Sequence, residues 1–323
     1  MNTSYMSNFA NRLVRFLEQK RALGYSQNYA VQDFKAFDRM CAEQFPSENQ
    51  LTKEVCDAWA TRRGAETPKS TNRRLPFIRE FARFLIRTGE QAYILPNGTI
   101  KSGQRYIPHI YSHREIAELW CHFDAIRPTK DYPTAHMVMP ALMRLLYCSG
   151  MRPSEALNLR VEDVDLRIGK LFIAESKGHK DRIVMLADDV LGFLCRYDER
   201  IREYVPNRLF FFAKSTAHAY GYSWLSWMFR KTREDIQFEN LGINPPRLYD
   251  LRHTFATHRL YRWMQDGKDL YAMLPYLCAY MGHQNLTETA YYLHLAPGVF
   301  ETISGFKYES MAEIFPEVVD ADE

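Results

Sequence analysis

The stretch SGMRPSEALNLRVEDVDLRIGKLFIAESKGHKDRIVML, residues 149–186, changes its hydrophobic period twice. The residues before it, about 134 to 149, read as one long apolar helix. Gly150 breaks that helix, and Pro153 suits the first position of the next, with Arg152 between the two. Further on, apolar residues alternate on both sides of SKGHKD, which predicts a small antiparallel β-hairpin with Lys177 at its turn.

Outward from this stretch the pattern is helical. From residue 187 it stays helical almost to the end, with Arg252 near a helix start in YDLRHTFATH (249–258). Upstream, Ser112 and Glu115 form a capping box that opens another helix. Residues 96–111 are rich in Pro, Gly and polar residues without periodicity, and are expected to be a linker. Before them come four amphipathic segments: about 5–23, about 27–44, one from the Leu51–Thr52 boundary to near Gly64, and TPKSTNRRLPFIREFARFLIRTG (67–89). Pro76 leaves the start of the fourth helix open, because proline fits a first turn better than an interior. The expected fold is mainly α. A helical N-terminal bundle (1–95) precedes a mostly helical domain (112–296) that carries the small antiparallel β-sheet, and a tail (297–323) follows.

Composition narrows the function classes. A chain of 323 residues with 46% hydrophobic and 25% charged residues can bury two cores. No run of eighteen apolar residues occurs, and the first twenty residues lack a signal-peptide pattern, so the expectation is a cytoplasmic, nucleoid-associated protein without membrane segments. Six cysteines, none closer than fifteen residues to the next, argue against metal pairs and a disulfide framework. Residues 1–105 hold 17 Lys+Arg against 10 Asp+Glu, and the remainder 25 against 29. A basic module joined to a mildly acidic one suits a polyanion partner. Lys69, Arg73, Arg74, Arg79 and Arg83 on the fourth helix are the candidate DNA contacts.

The candidate chemistry is scattered along the second domain. GMRPSEAL holds Arg152 and Glu155, SKGHKDR holds Lys177, LRHTFATH holds Arg252, and MGHQNLTETAYYLH (281–294) holds His283, Tyr291, Tyr292 and His294. Taken singly, these are a helix-start arginine, a hairpin lysine and the aromatic face of a helix. Together they meet the needs of phosphodiester chemistry without a metal. Two guanidinium forks can neutralise charge on the non-bridging oxygens. A tyrosine oxygen can attack phosphorus, and a lysine can protonate the leaving oxygen. Storing the phosphodiester bond in a phosphotyrosine removes the need for ATP, and the chain has no GxxxxGK[ST], no HExxH and no acidic Mg²⁺ cluster. His253 and His258, five apart, do not share a helix face, so no metal or other cofactor is expected.

The four motifs together resemble the catalytic domain of the tyrosine recombinase (phage integrase) family, over about residues 110–300. The resemblance implies a site-specific DNA recombinase that forms a 3′-phosphotyrosyl intermediate. The family's nucleophile falls nine residues after the GH histidine, which selects Tyr292 and leaves Tyr291 as a packing aromatic. It further implies that Arg152 and Arg252 clamp the phosphate, Lys177 is the general acid, and His283 hydrogen-bonds the phosphate, with Glu155 and His294 in support. One position departs: the family's H-x-x-R is Tyr249-Asp250-Leu251-Arg252 here, and a phenol is a poorer base than imidazole near neutrality. The resemblance extends to partners. They are double-stranded DNA with inverted core half-sites, a homodimer per site and a tetramer in synapsis, accessory bending or directionality proteins, and the tail as a docking segment between protomers. LPYLCAYMGH followed by YYL is similar to integrases of transposon-like mobile elements. The alternatives are a type IB topoisomerase-like relaxase and a recombinase-derived protein that only binds DNA.

Overall fold

The computed structural model describes residues 5–24, 30–100, 106–176, 180–236, 238 and 245–295. The chain divides into two compact units, with the boundary between Tyr106 and Ile107. No helix among the described residues is long and apolar enough to cross a membrane.

The first unit contains α1 (Ala10–Ala22), α2 (Ala30–Gln44), α3 (Lys53–Ala60) and α4 (Pro68–Arg87). Its core is aromatic. Phe37 meets Trp59 edge-on at 5.4 Å between ring centroids, and Phe9, Phe16, Phe34 and Phe81 close around them. The first helix starts later than its periodicity suggests because Ser7 is engaged elsewhere. The buried Asp38 carboxylate of α2 accepts hydrogen bonds from the Ser7 amide (2.9 Å) and hydroxyl (2.6 Å). Thr67 caps α4 by accepting from the Ser70 amide, and Pro68 occupies its first turn. Pro76 therefore lies inside the helix, and its position on the exposed face tolerates the missing amide hydrogen.

The second unit is larger. Residues 107–111, read from sequence as linker, lead into its core. Tyr111 is fully buried, its amide donates to Thr254 Oγ1 (3.1 Å), and its hydroxyl donates to the Arg247 carbonyl (3.0 Å). Next comes α5 (His113–Asp124), opened by the Ser112–Glu115 capping box. Eleven of the fifteen residues of α6 (Ala135–Ser149) are buried, so this helix forms the axis of the unit. It ends at Gly150 in the left-handed conformation (φ 59°), and α7 (Pro153–Leu157) follows at once.

Strands β1 (Val164–Asp165), β2 (Lys170–Ser176) and β3 (Lys180–Met185) form an antiparallel sheet in sequence order. Leu171 pairs with Val184 and Ile173 with Arg182, so these four residues share the inward face, while Phe172 and Ile183 face out. Beyond it lie α8 (Asp188–Tyr204), β4 (Ala213–Ser215), β5 (His218–Ala219) and α9 (Tyr222–Glu234). The β4–β5 pair corrects the expectation of unbroken helix after residue 187; strands of three and two residues are too short to show a period of their own. The last helices are α10 (Asp250–Gln265), α11 (Leu270–Met281) and α12 (Leu286–Ala290), and a 3₁₀ turn covers Tyr291–Leu295.

Gly150 is doubly constrained. Its backbone is left-handed, and a Cβ there would collide with the Phe255 ring of α10. Gly150→Ala is expected to destabilise the protein by about 2 kcal/mol or more, combining conformational strain with overpacking. Urea denaturation measures it, and a loss below about 0.5 kcal/mol would mean that neither constraint operates.

Candidate active site

The site is assembled at the C-terminal end of α11. Gly282 ends that helix with φ 67°, the Gly282 amide donates to the Ala279 carbonyl (3.1 Å), and the His283 amide donates to the Cys278 carbonyl (3.0 Å). This Schellman closure satisfies two of the last carbonyls of the helix and leaves those of residues 280 to 282. Three arginines from three different elements take them. Arg182 Nε donates to the Tyr280 carbonyl (3.0 Å), Arg252 Nη2 to that of Met281 (2.8 Å), and Arg152 Nη2 to that of Gly282 (3.0 Å). The negative end of the helix dipole thus faces three cations. Arg252, only 2% exposed, also donates through Nη1 to the Gly150 carbonyl, tying the breaks after α6 and α11 together.

One carboxylate sits among the three guanidiniums. Glu155 accepts from Arg152 Nη1 (2.8 Å) and from both terminal nitrogens of Arg182 (3.1 and 2.7 Å), while the Arg152 amide donates to its other oxygen (2.9 Å). Burial pushes the Glu155 carboxyl up, but the hydrogen bonds and charge of Arg182, then those of Arg152, outweigh it and hold the group at about 2. Three guanidiniums against one carboxylate leave a net charge of about +2 on these four groups at neutral pH, which suits an anionic ligand.

Tyr292 stands at the edge of this cluster, on the turn after α12. Asn285 caps α12 by accepting from the Glu288 amide (3.0 Å), which sets the phase of the turn. Tyr292 is 2% exposed. Burial raises its phenol to about 12, with the neighbouring Arg252 pulling in the other direction. His283 stacks on Tyr292 with centroids 5.9 Å apart, and its Nδ1 pairs with Thr289 Oγ1 (2.7 Å). Burial, followed by Arg252 and Arg152, lowers the His283 imidazole to about 3, so it is neutral at physiological pH. Tyr249 precedes the first turn of α10, with its ring 5.4 Å from that of His253. Tyr291 is half-buried beside Tyr292, at 6.0 Å between centroids.

The structure therefore brings Arg152, Glu155, Tyr249, Arg252, His283 and Tyr292 together from α6–α7, α10 and α11–α12. Lys177 lies outside the described residues, between the end of β2 and the start of β3. His294 falls in the 3₁₀ turn, and its side chain is also outside them.

Two residues of the cluster escaped sequence reasoning. Arg182 carried a usable signal: it shares the period-two face of β3 with the buried Val184, an unusual place for an arginine without a partner. His253 lies one helical turn after Tyr249, and its ring centroid is 5.5 Å from that of Tyr292.

Of the proposed DNA contacts in the first unit, Lys69, Arg73 and Arg83 are exposed on α4. Arg79 donates to the Leu95 (3.0 Å) and Pro96 (2.8 Å) carbonyls. Arg74 is only 4% exposed. It binds Glu66 through Nε and Nη2 (both 3.1 Å), donates to the Thr61 carbonyl, and lies over Trp59. Those commitments make Arg74 a structural arginine of the bundle.

A family model, the phage integrase family, matches residues 122–298, more than half of the chain and all of the site described above. The chain belongs to the phage integrase family. By that membership it is a tyrosine-type site-specific recombinase. Among curated members of the family, y4rB of Sinorhizobium fredii, which carries an integrase/recombinase name, is 28% identical over 309 residues, spanning 90% of this chain and 94% of its own. The tyrosine recombinase XerD of Rickettsia bellii is 26% identical over 310 residues, spanning 89% and 94%. Two solved structures share the fold. The XerH recombinase in its post-cleavage complex with palindromic difH superposes with a TM-score of 0.63 at 19% identity, over 87% of this chain and 77% of that one. The Tn1549 transposon integrase with transposon right-end DNA gives 0.65 at 13% identity, over 94% and 98%.

Two outcomes follow from the charge network. Arg182→Ala leaves the buried Glu155 short of its main partner and is expected to cost about 3 kcal/mol or more in chemical denaturation. A loss below about 1 kcal/mol would show that Arg152 alone suffices. The second concerns acid. Burial depresses His253 and His258 to about 4 and His283 to about 3, all below the ordinary imidazole value. The unfolded chain therefore binds protons that the folded chain refuses, and stability falls as pH drops from about 6.5 toward 4. Glu155 adds its own loss lower, between its ordinary range and about 2. The melting temperature should decline steadily from pH 7 to pH 5, and a flat profile there would contradict the neutral buried histidines.

Proposed function

We propose that Tyr292 is the nucleophile of this recombinase and that the arginine cluster is its phosphate site. The observation that carries the proposal is the burial of one phenol beside Arg252, within a group holding three guanidiniums and one carboxylate. On a bound duplex, Arg152 and Arg252 exchange some of their carbonyl contacts for the non-bridging oxygens, where charge grows during attack. Tyr292 Oη attacks phosphorus, a 3′-phosphotyrosyl bond forms, and the bond to the 5′ oxygen breaks. Lys177 protonates that 5′ oxygen. His283 donates a hydrogen bond to the phosphate, Tyr249 stands where the family has an imidazole, and Glu155 and Arg182 hold the arginines in place. The phosphotyrosine stores the bond energy, so neither ATP nor metal enters the scheme.

The substrate is double-stranded DNA bearing inverted core half-sites, bound by one protomer per half-site, with two such dimers meeting in synapsis. The DNA-bound, multi-protomer form of related recombinases supports this: one neighbour is a λ integrase dimer on a core site, another a λ integrase tetramer on a Holliday junction. The first unit contributes phosphate contacts through Lys69, Arg73, Arg79 and Arg83, and the C-terminal tail, outside the described residues, docks protomer to protomer. Likeness to the Tn1549 transposon integrase supports work on a mobile element, with accessory bending or directionality proteins setting the outcome and the protein acting at the nucleoid.

The test uses nicked duplexes that tile the DNA flanking the protein's own gene. The wild type is expected to form an SDS-resistant adduct on one of them, Tyr292→Phe none, and Tyr291→Phe an adduct at near-normal yield. Binding to that duplex should survive Tyr292→Phe and weaken steeply with salt. Loss of the adduct in Tyr291→Phe alone would move the nucleophile by one residue. Salt-sensitive binding without any adduct would favour a protein that only binds DNA.

A further inference from the structure

The family resemblance leaves one step of this reaction without an owner, because Tyr249 occupies the position where the H-x-x-R imidazole would stand. We propose that His253 is the general base that accepts the Tyr292 proton, so that the imidazole has moved one helical turn along α10. The proposal rests on the reading of Tyr292 as the nucleophile.

Placement comes first. Residues 249 and 253 are four apart at the start of α10 and share one face of it. That face meets the turn bearing the two tyrosines. The His253 ring centroid lies 5.4 Å from Tyr249, 5.5 Å from Tyr292 and 6.5 Å from Tyr291. At 5.5 Å between centroids and a 54° tilt, the imidazole and the phenol ring are direct neighbours, the placement that a proton transfer between them requires.

Availability comes second. His253 Nδ1 is buried and has no hydrogen-bond partner. A buried ring nitrogen left unpaired costs free energy, so it calls for an explanation, and a place beside a buried phenol that must lose its proton supplies one.

The competing imidazole is less suited. His283 also flanks Tyr292, but its Nδ1 is committed to Thr289 Oγ1, and the charges nearest to it are Arg252 and Arg152, which oppose protonation. Burial lowers His253 as it does His283, but at His253 the Asp250 carboxylate works against Arg252 and Arg247, whereas every charge around His283 opposes protonation. An anionic phosphate in the arginine site would favour protonation of His253 further.

The proton balance is complete. The Tyr292 Oη proton passes to His253 as the phosphotyrosyl bond forms, and the 5′ oxygen leaves with a proton from Lys177. On rejoining, the incoming 5′ hydroxyl returns its proton to Lys177 and His253 returns its own to the departing phenol.

Tyr249→His provides the decisive comparison, since it restores an imidazole at the family position. On the nicked duplex that traps the adduct, His253→Gln should slow single-turnover adduct formation by about 100-fold, the usual share of a general base. DNA affinity and melting temperature should stay near those of the wild type. Adding Tyr249→His to His253→Gln should recover at least about 10-fold of that rate. A wild-type rate in His253→Gln overturns the proposal. So does a slow rate that Tyr249→His leaves unchanged, which would assign His253 to packing. Should His253→Gln not fold, His253→Asn is judged by the same two comparisons. An adduct that persists in Tyr292→Phe would instead remove the nucleophile on which the proposal rests, and the two failures remain distinguishable.

Discussion

Three carbonyls at the end of α11 hold the site together. The Schellman closure at Gly282 and His283 leaves the oxygens of Tyr280, Met281 and Gly282 without helical partners, and Arg182, Arg252 and Arg152 supply the hydrogen bonds. A helix end buried without donors would be destabilising, and three arginines buried without acceptors more so. Each group supplies what the other lacks. The arginines come from β3, α10 and the break before α7, so one helix terminus gathers side chains from as far as 130 residues away in sequence, the distance from Arg152 to Gly282. Glu155 adds the fourth contact by bridging Arg152 and Arg182.

This arrangement explains why the glycines stand where they do. Gly282 allows the left-handed turn that exposes the carbonyls, and a Cβ there would come within 2.9 Å of Arg182 Nη1. Gly150 ends α6 beside Phe255 and offers its carbonyl to Arg252. Both helix breaks therefore carry backbone acceptors for the same guanidinium. The resulting positive cluster is preorganised, so a phosphate that enters meets donors already oriented. Burial keeps the Tyr292 phenol protonated at neutral pH.

Much of this was legible in the sequence, for physical reasons. Long helices such as α4 and α6 carry their period plainly, and the β2–β3 hairpin shows through its alternation. The motifs around Arg152, Arg252, His283 and Tyr292 could be recognised because their chemistry is specific in combination. What remained hidden depends on contacts at long range. Ser7 is held by Asp38 and not by the helix it precedes, and Arg74 is turned inward onto Glu66 and Trp59 although its helix neighbour Arg73 is exposed. Arg182 showed in sequence only through its place on the inward face of β3, and its partner lies 27 residues away. His253 sits beside a motif arginine, and only the packing of α10 on the tyrosine turn brings it next to Tyr292.

The account turns on which oxygen meets phosphorus. Tandem mass spectrometry of the trapped adduct, after nuclease and protease digestion, locates the nucleotide remnant directly. The account predicts the remnant on Tyr292 alone. A remnant on Tyr291, Tyr249 or any other residue would contradict it, because the arginine cluster would then serve a different nucleophile.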